Sequence, residues 1–241
     1  MQPYFLPYIG YFQLISSVDK FVSYSIVDYR KSSWINRNRV INYSNQNVSY
    51  IGYPIRKFRS GTIISNVQIN EFSDWRTGAR KFIFHNYKRS PFFDEIFHVY
   101  ESILENSSEY VAELNNHAIK SICSFLDIKT VIEENNKPYE EIEEKLKSDI
   151  ESGLPPMTAR IAGICAYEEA SHYINPIGGQ GLYKPEDFQK FGVDLSFLKV
   201  NDLNYDQHLD VFHPNLSILD VLFHNGREKV KSMLSEFELI T

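Results

Sequence analysis

Met1-Gln-Pro-Tyr-Phe-Leu-Pro-Tyr-Ile-Gly-Tyr-Phe-Gln-Leu-Ile15 opens the chain with Pro3, Pro7, Gly10 and several aromatic rings. Neither proline fits inside a helix, because each lacks a backbone N–H and clashes with the preceding turn. Residues 2–8 therefore read as an extended or looping segment. A helix begins near Tyr8 to Gly10 and turns Phe12 and Ile15 inward, and Asp19-Lys-Phe-Val22 then reads as a strand. A loop-to-helix junction exposes free N–H groups and the positive end of the helix dipole, so the stretch is a candidate anion site. The alternative is an aromatic hook packed on a core. If residues 1–3 close a buried strand, the rest of that strand is expected upstream of Met1.

The chain has 241 residues, 43% of them hydrophobic and 15% aromatic, enough for one sizeable core or a main domain with a helical insertion. A formal net charge of −6 gives no broad electrostatic footprint for nucleic acid, so no DNA partner is expected. Cys123 and Cys165 lie in predicted helices among apolar neighbours. They read as buried small hydrophobes of a reducing cytoplasm, not as a disulfide. No C-x-x-C pair or zinc-ligand spacing occurs, so no metal is expected. No apolar run approaches the roughly 20 residues of a membrane span, and no signal peptide is visible. The expectation is a soluble cytoplasmic protein, with a homodimer as one open assembly.

Outward from the opening stretch, Phe21–Val27 is rich in β-branched and aromatic residues and reads as a strand. The next segment, residues 28–41, concentrates hydrogen-bonding groups: Asp28, Lys31, Asn36, Arg37, Asn38 and Arg39, with Tyr29 and Trp34 among them. In a strand Arg37 and Arg39 share one face. Their guanidinium forks match phosphate or carboxylate, and Trp34 offers a stacking face. Residues 47–55 and 61–69 read as further strands, with Pro54 ending the first. From residue 73 the period turns helical. Ser73 or Asp74 can cap a first helix, Pro91 starts a second, and Ser107 or Ser108 a third.

Residues 129–133 read as a short strand. Residues 134–153, rich in Glu, Lys and Asn, read as a solvated linker or mobile helix. Met157–Glu168 is a compact helix whose only cation, Arg160, either meets a core carboxylate or faces a ligand. His172–Asn175 ends a strand and leads into Pro176-Ile-Gly-Gly-Gln-Gly181, where Gly179 and its neighbours allow close backbone approach to a phosphate or sugar. Lys184–Phe191 is a short helix stopped by Gly192, and Val193–Leu198 alternates as a strand. Asn215 or Ser217 starts a helix with Asp220 in its first turn, where capping is the plain role for Ser217 and Asp220. The chain closes in an amphipathic helix through Val230, Met233 and Leu234. The fold class expected is α/β, with a Rossmann-like or mixed sheet core and an inserted all-helical block. Residues 1–72 and 154–241 would form the two parts of that core, with residues 73–153 the insertion and linker.

Gln2-Pro3…Pro7…Gly10-Tyr-Phe12, Asp19…Phe21-Val22, Trp34-Ile-Asn-Arg-Asn38, Tyr173-Ile-Asn175…Gly179…Leu182-Tyr183 and Tyr205…Gln207…Leu216-Ser-Ile-Leu-Asp220 together resemble the WbqC-like protein family, over nearly the whole chain. The resemblance implies a bacterial protein encoded beside genes for O-antigen and other surface polysaccharides. It also implies several residues ahead of the Gln-Pro pair.

The resemblance and the residues lead to one expected activity: transfer of an N-acyl or N-aminoacyl group to a nucleotide-linked amino sugar, with acyl-CoA or an aminoacyl carrier such as tRNA as donor. Amide formation needs a base for the amine and a donor for the oxyanion. Asp19, Asp28, His172 and His208 are alternative bases, as are His85 and His213. His208 beside Gln207 and Asp28 near Lys31 lie in the densest polar motifs. Arg37, Arg39 and Arg160 would hold phosphates, and Tyr29 or Trp34 would stack on a ring. The recognisable loops make one expected site: Gln2 and Tyr11; Tyr29, Lys31, Trp34, Asn36, Arg37 and Asn38; Asn175, Gly179 and Tyr183; Tyr205, Gln207, Ser217 and Asp220. Two alternatives stand beside this reading. One is a non-catalytic glycan-binding or assembly protein. The other is an ATP-dependent ligase of nucleotidyltransferase-like fold, although Pro7-Tyr-Ile-Gly-Tyr11 carries no histidine of the kind that holds ATP phosphates there.

Overall fold

The computed structural model describes every residue except 73 and 149–153. The chain forms two compact units. The first comprises Met1–Glu134 and Asp202–Ser235, the second Asn135–Asn201 and Glu236–Thr241. The fold is α/β, built from helices and small sheets.

In the first unit, residues 2–8 run without regular structure into helix α1 (Ile9–Ser16), as the two prolines require. Ile9 through Ile15 are all buried, so this short helix lies inside the core, where Gln13 Nε2 donates to Met233 O at 2.8 Å. Strand β1 (Lys20–Val22) pairs in parallel with β4 (Val131–Glu133). The strand expected to run on to Val27 stops at Val22. Ser23 N still donates to Glu133 O at 2.9 Å, and beyond it the backbone leaves the ladder, with Tyr24 N donating to Met1 O at 2.7 Å. Strands β2 (Arg37–Asn42) and β3 (Asn47–Gly52) make an antiparallel hairpin in which Arg39 faces Tyr50. The strand expected over residues 61–69 is instead a 3-10 turn at Ile64–Asn66, flanked by isolated bridges.

Three helices follow: α2 (Trp75–Tyr87), α3 (Phe93–Leu104) and α4 (Val111–Phe125). Buried polar groups tie α4 to the amino-terminal segments. Asn115, fully buried, donates to Pro3 O at 3.0 Å and Ile35 O at 2.7 Å, and accepts from the Tyr53 hydroxyl at 2.7 Å. Asn116 Oδ1 accepts from Ser23 Oγ at 2.5 Å.

The second unit begins near α5 (Lys137–Ser148), which packs on α6 (Pro156–Tyr167). Of the segment expected as a solvated linker or mobile helix, residues 149–153 lie outside those described, and the rest is helical and anchors a core ring: Tyr139 is fully buried and its hydroxyl donates to Glu168 Oε1. Of the two sheet forms expected, a mixed one is present. Strand β5 (His172–Pro176) pairs in parallel with β6 (Asp194–Val200), which pairs antiparallel with β7 (Phe237–Ile240), a carboxy-terminal strand the sequence reading missed. Helix α7 (Pro185–Gln189) starts on a proline, and the backbone turns at Gly192 with φ +70°, a conformation glycine adopts freely. Phe188, Val193, Leu195, Phe197 and Cys165 form this unit's core.

Helix α8 (Ile218–Met233) returns to the first unit. Ser217 is its N-cap, its Oγ accepting from Leu219 N at 3.3 Å and donating to Leu6 O at 2.8 Å. The two amphipathic segments expected at the end of the chain are one helix broken by a kink at Gly226, where φ is +69°. Among the described residues no helix is long and apolar enough to cross a membrane.

Candidate functional site

Alternation along β2 buries Asn38 and Val40 and leaves Arg37 and Arg39 on the other face. The Arg37 guanidinium lies 4.7 Å from the Tyr50 ring centre and that of Arg39 5.4 Å from Trp34, the two rings being 6.3 Å apart. Tyr50 and Trp34 are exposed, at 58% and 41%. Each arginine is braced by backbone oxygens: Arg37 Nη2 donates to Ser32 O at 2.7 Å, and Arg39 Nη2 to Pro214 O and Asn215 O at 3.2 Å. The Nε of both lacks a hydrogen-bond partner. The hairpin thus presents a platform of two aromatic faces and two fixed positive charges, a surface suited to a stacked ring carrying an anion.

Four residues on from Arg39, about 13 Å of extended chain, lies Tyr43, which enters a buried polar cluster. Asp220, in the first turn of α8, is fully buried. Its Oδ1 accepts from the Tyr205 hydroxyl at 2.6 Å and its Oδ2 from the Tyr87 hydroxyl at 2.5 Å. The phenols are held in turn: Tyr87 accepts from Ile41 N at 3.0 Å, and Tyr205 from Gln207 Nε2 at 3.1 Å. Gln207 also clamps His213, donating to its O at 2.9 Å and accepting from its N at 2.8 Å. Burial raises the Asp220 carboxyl above the usual carboxylate range, opposed by His224 and the two phenols. Burial and the Asp220 charge raise both tyrosines.

One helical turn after Asp220 comes His224, which no sequence motif had singled out. Its Nε2 lies 2.7 Å from the Tyr43 hydroxyl, which also lies 3.1 Å from Gln207 O. Its Nδ1 is buried with no hydrogen-bond partner. The rings of His208, Tyr205, Tyr87 and Tyr43 surround it at 5.5–6.2 Å. Burial lowers its pKa, with His208 adding to the effect while Asp220 and Asp206 oppose it. Tyr43 and Tyr87 were likewise missed. The usable signal was the i, i+4 spacing of Asp220 and His224, which places both on one helix face.

The structure brings together Tyr205, Gln207, Asp220 and, on the rim, His208, whose Nδ1 meets Asp206 at 3.0 Å in the open. It does not gather Asp28, Asp19 or His172. Asp28 is exposed in an isolated bridge with Ile63, and Asp19 edges a hollow of about 470 Å³ with Asp127, Lys129 and Lys231. His172 belongs to the second unit, where its Nε2 meets Ser196 Oγ at 2.8 Å.

Several residues expected at the site instead hold the chain to itself. The Tyr11 hydroxyl donates to Gln2 O at 2.9 Å, and Gln2 Oε1 lies 3.4 Å from the Tyr4 hydroxyl. Asn38 Nδ2 donates to Phe5 O at 3.2 Å. Asn36 accepts from Tyr29 at 2.6 Å and donates to Tyr53 O at 2.8 Å. Lys31 lies 5.6 Å from the Phe58 ring centre. In the second unit Arg160 pairs with Glu143, a core-side carboxylate. Asn175 accepts from Tyr173 at 2.8 Å, and a methyl added at Gly179 would lie 1.7 Å from Asn175 Nδ2, so this glycine makes room for its own neighbour. The Tyr183 ring packs on Tyr173 and Phe188. Cys123 and Cys165 are buried free thiols, pushed up to about 12 and about 11 by burial. Among the described residues no group of three or more His, Cys, Asp or Glu is placed to hold a metal ion.

With this geometry in view, the chain belongs to the WbqC-like protein family, which it matches over residues 2–232. It is similar to the uncharacterized protein Rv1507c of Mycobacterium tuberculosis, with 29% identity over 95% of this chain and 93% of the relative. No solved structure matches it.

Proposed function

We propose that the protein transfers an acyl or aminoacyl group to the amine of a nucleotide-linked amino sugar in the making of O-antigen or another surface polysaccharide. The observation that carries this reading is the platform of β2 and β3. Arg37 and Arg39 lie over two exposed rings and are fixed by backbone carbonyls. A nucleoside diphosphate supplies a base or sugar ring for Trp34 or Tyr50 and phosphate oxygens for the guanidiniums. The amino sugar would then extend along β2 toward Tyr43 and the Asp220 cluster. The donor is an acyl-CoA or an aminoacyl-tRNA, and the amine attacks its activated carbonyl.

The test incubates the protein with nucleoside-diphosphate amino sugars and acetyl-CoA, aminoacyl-tRNA, or amino acid plus ATP, and reads the products by mass spectrometry. A sugar gaining an acyl or aminoacyl mass from a charged donor alone is the expected result. Arg39→Ala should weaken sugar-nucleotide binding about tenfold or more, the loss of a charge-assisted contact of about 1.5–3 kcal/mol. Saturable sugar binding with no product from any donor would overturn the transferase reading, and product only with ATP would favour a ligase.

A further inference from the structure

We propose that His224 is the catalytic base of this reaction, taking the proton of the attacking amine at Nδ1. The inference rests on the transferase reading for its substrate and on geometry for its assignment. The Tyr43 hydroxyl has one hydrogen and two neighbours, Gln207 O at 3.1 Å and His224 Nε2 at 2.7 Å. A carbonyl oxygen only accepts, so both contacts are hydrogen bonds in one arrangement alone: the hydroxyl donates to Gln207 O, and Nε2–H donates to the hydroxyl oxygen. That tautomer leaves the lone pair on Nδ1, the atom that is buried and unpartnered.

The groups facing the imidazole suit it to carry a proton briefly. Asp220 on the same helix and Asp206 on the loop supply negative charge, while His208 opposes it. Tyr43, Tyr87 and Tyr205 hold their protons, all raised above the ordinary phenol value, chiefly by burial. Asp220 itself is no base for the substrate, since each of its oxygens already accepts a phenol proton. Its fixed charge stabilises the imidazolium. His208 and Tyr205, both on the loop clamped by Gln207, lie beside the ring.

In the reaction the amine lone pair attacks the acyl carbon, the C–N bond forms, and the ammonium proton passes to Nδ1. The bond from that carbon to the donor's sulfur or oxygen then breaks with its electron pair. The imidazolium returns the proton to the leaving group.

Long-range 1H–15N correlation on the full chain labelled in its seven histidines tests the tautomer, with a His224→Gln sample assigning the signal. At pH 8 the expected form carries its proton on Nε2; a proton on Nδ1 would overturn the proposal. With a nucleoside-diphosphate amino sugar and the donor that yields product, His224→Gln should lower kcat by about 10²-fold or more and leave KM nearly unchanged. His98→Gln, on the exposed side of α3 and away from the cluster, should stay within about threefold of the parent. If His224→Gln fails to fold, Tyr43→Phe should lower kcat and mix the two tautomers; an unchanged spectrum and rate would refute the assignment. Product formation with an unaffected His224→Gln variant would remove this role alone. Absence of product with every donor would remove the transferase reading and the role together.

Discussion

Replacing Tyr87 by Phe isolates what the buried carboxylate contributes to the first unit. The ring would keep its stack on Phe223, at 4.5 Å between centres, so little apolar burial is lost. What disappears is the hydroxyl, with its donation to Asp220 Oδ2 at 2.5 Å and its acceptance from Ile41 N at 3.0 Å. The bond to an ionised acceptor is worth about 1.5–3 kcal/mol, and Ile41 N, which also bonds the Asp220 carboxylate, loses one of two acceptors at a further cost of about 1 kcal/mol. Tyr87→Phe should therefore destabilise the unit by about 2.5–4 kcal/mol. Tyr205→Phe removes one bond to Asp220, but Gln207 keeps His213 O as an acceptor, so its cost should be nearer 1.5–3 kcal/mol. Urea unfolding followed by tryptophan fluorescence reads the right part of the molecule, because the chain's two tryptophans, Trp34 and Trp75, both lie in the first unit. A Tyr87→Phe variant within about 1 kcal/mol of the parent, or cheaper than Tyr205→Phe, would refute the view that this phenol satisfies a buried charge.

Gly226 breaks α8 at φ +69°, and a methyl there would come within 2.6 Å of the Phe92 ring. Gly226→Ala should cost about 1–3 kcal/mol in backbone strain alone, read as a lower midpoint in the same unfolding assay. The lowered pKa of His224 sets a pH dependence of opposite sign to that of Asp220. Below pH 6.5 the unfolded chain takes up a proton that folded His224 refuses, so the stability of the parent should fall relative to His224→Gln as pH drops through 6.5. The gap should level off below the folded pKa. Asp220, with its pKa raised from 3.8, makes the opposite contribution, favouring the fold on the acid side and losing that advantage as pH rises through its folded value. Urea midpoints of the two proteins from pH 8 to pH 5 check this, and parallel curves would refute it.

Local chemistry made much of this fold legible. Proline placed the start of α1, alternation put Arg37 and Arg39 on one face, and Ser217 capped α8 where its hydroxyl predicted. The failures share a cause in tertiary context. Residues 61–69 look like a strand, yet their backbone partners lie in isolated bridges and turns set by distant segments. Tyr139 sits in a run of charges that reads as solvated, and only the packed unit shows that it is a core ring. The hydrogen bonds that Asn36, Asn38 and Tyr11 make within the chain were not legible in their motifs. An asparagine that ties two carbonyls together has the same composition signature as one that binds a sugar. His224 was invisible because its meaning depends on Tyr43, 181 residues away.

The opening stretch also bears on how the protein is made. Pro3 O, Phe5 O, Leu6 O and Pro7 O accept from Asn115, Asn38, Ser217 and Ile218, so these first carbonyls are completed by residues up to 211 positions later. On the ribosome this stretch emerges before those partners and waits for most of the chain. The first unit cannot close until α8 has been synthesised, by which time all but the last strand of the second unit, which is encoded inside its sequence, is already available to fold. An aromatic-rich segment held open for that interval is a natural client for a chaperone, and truncation before residue 217 should yield an aggregating chain, not a smaller folded one.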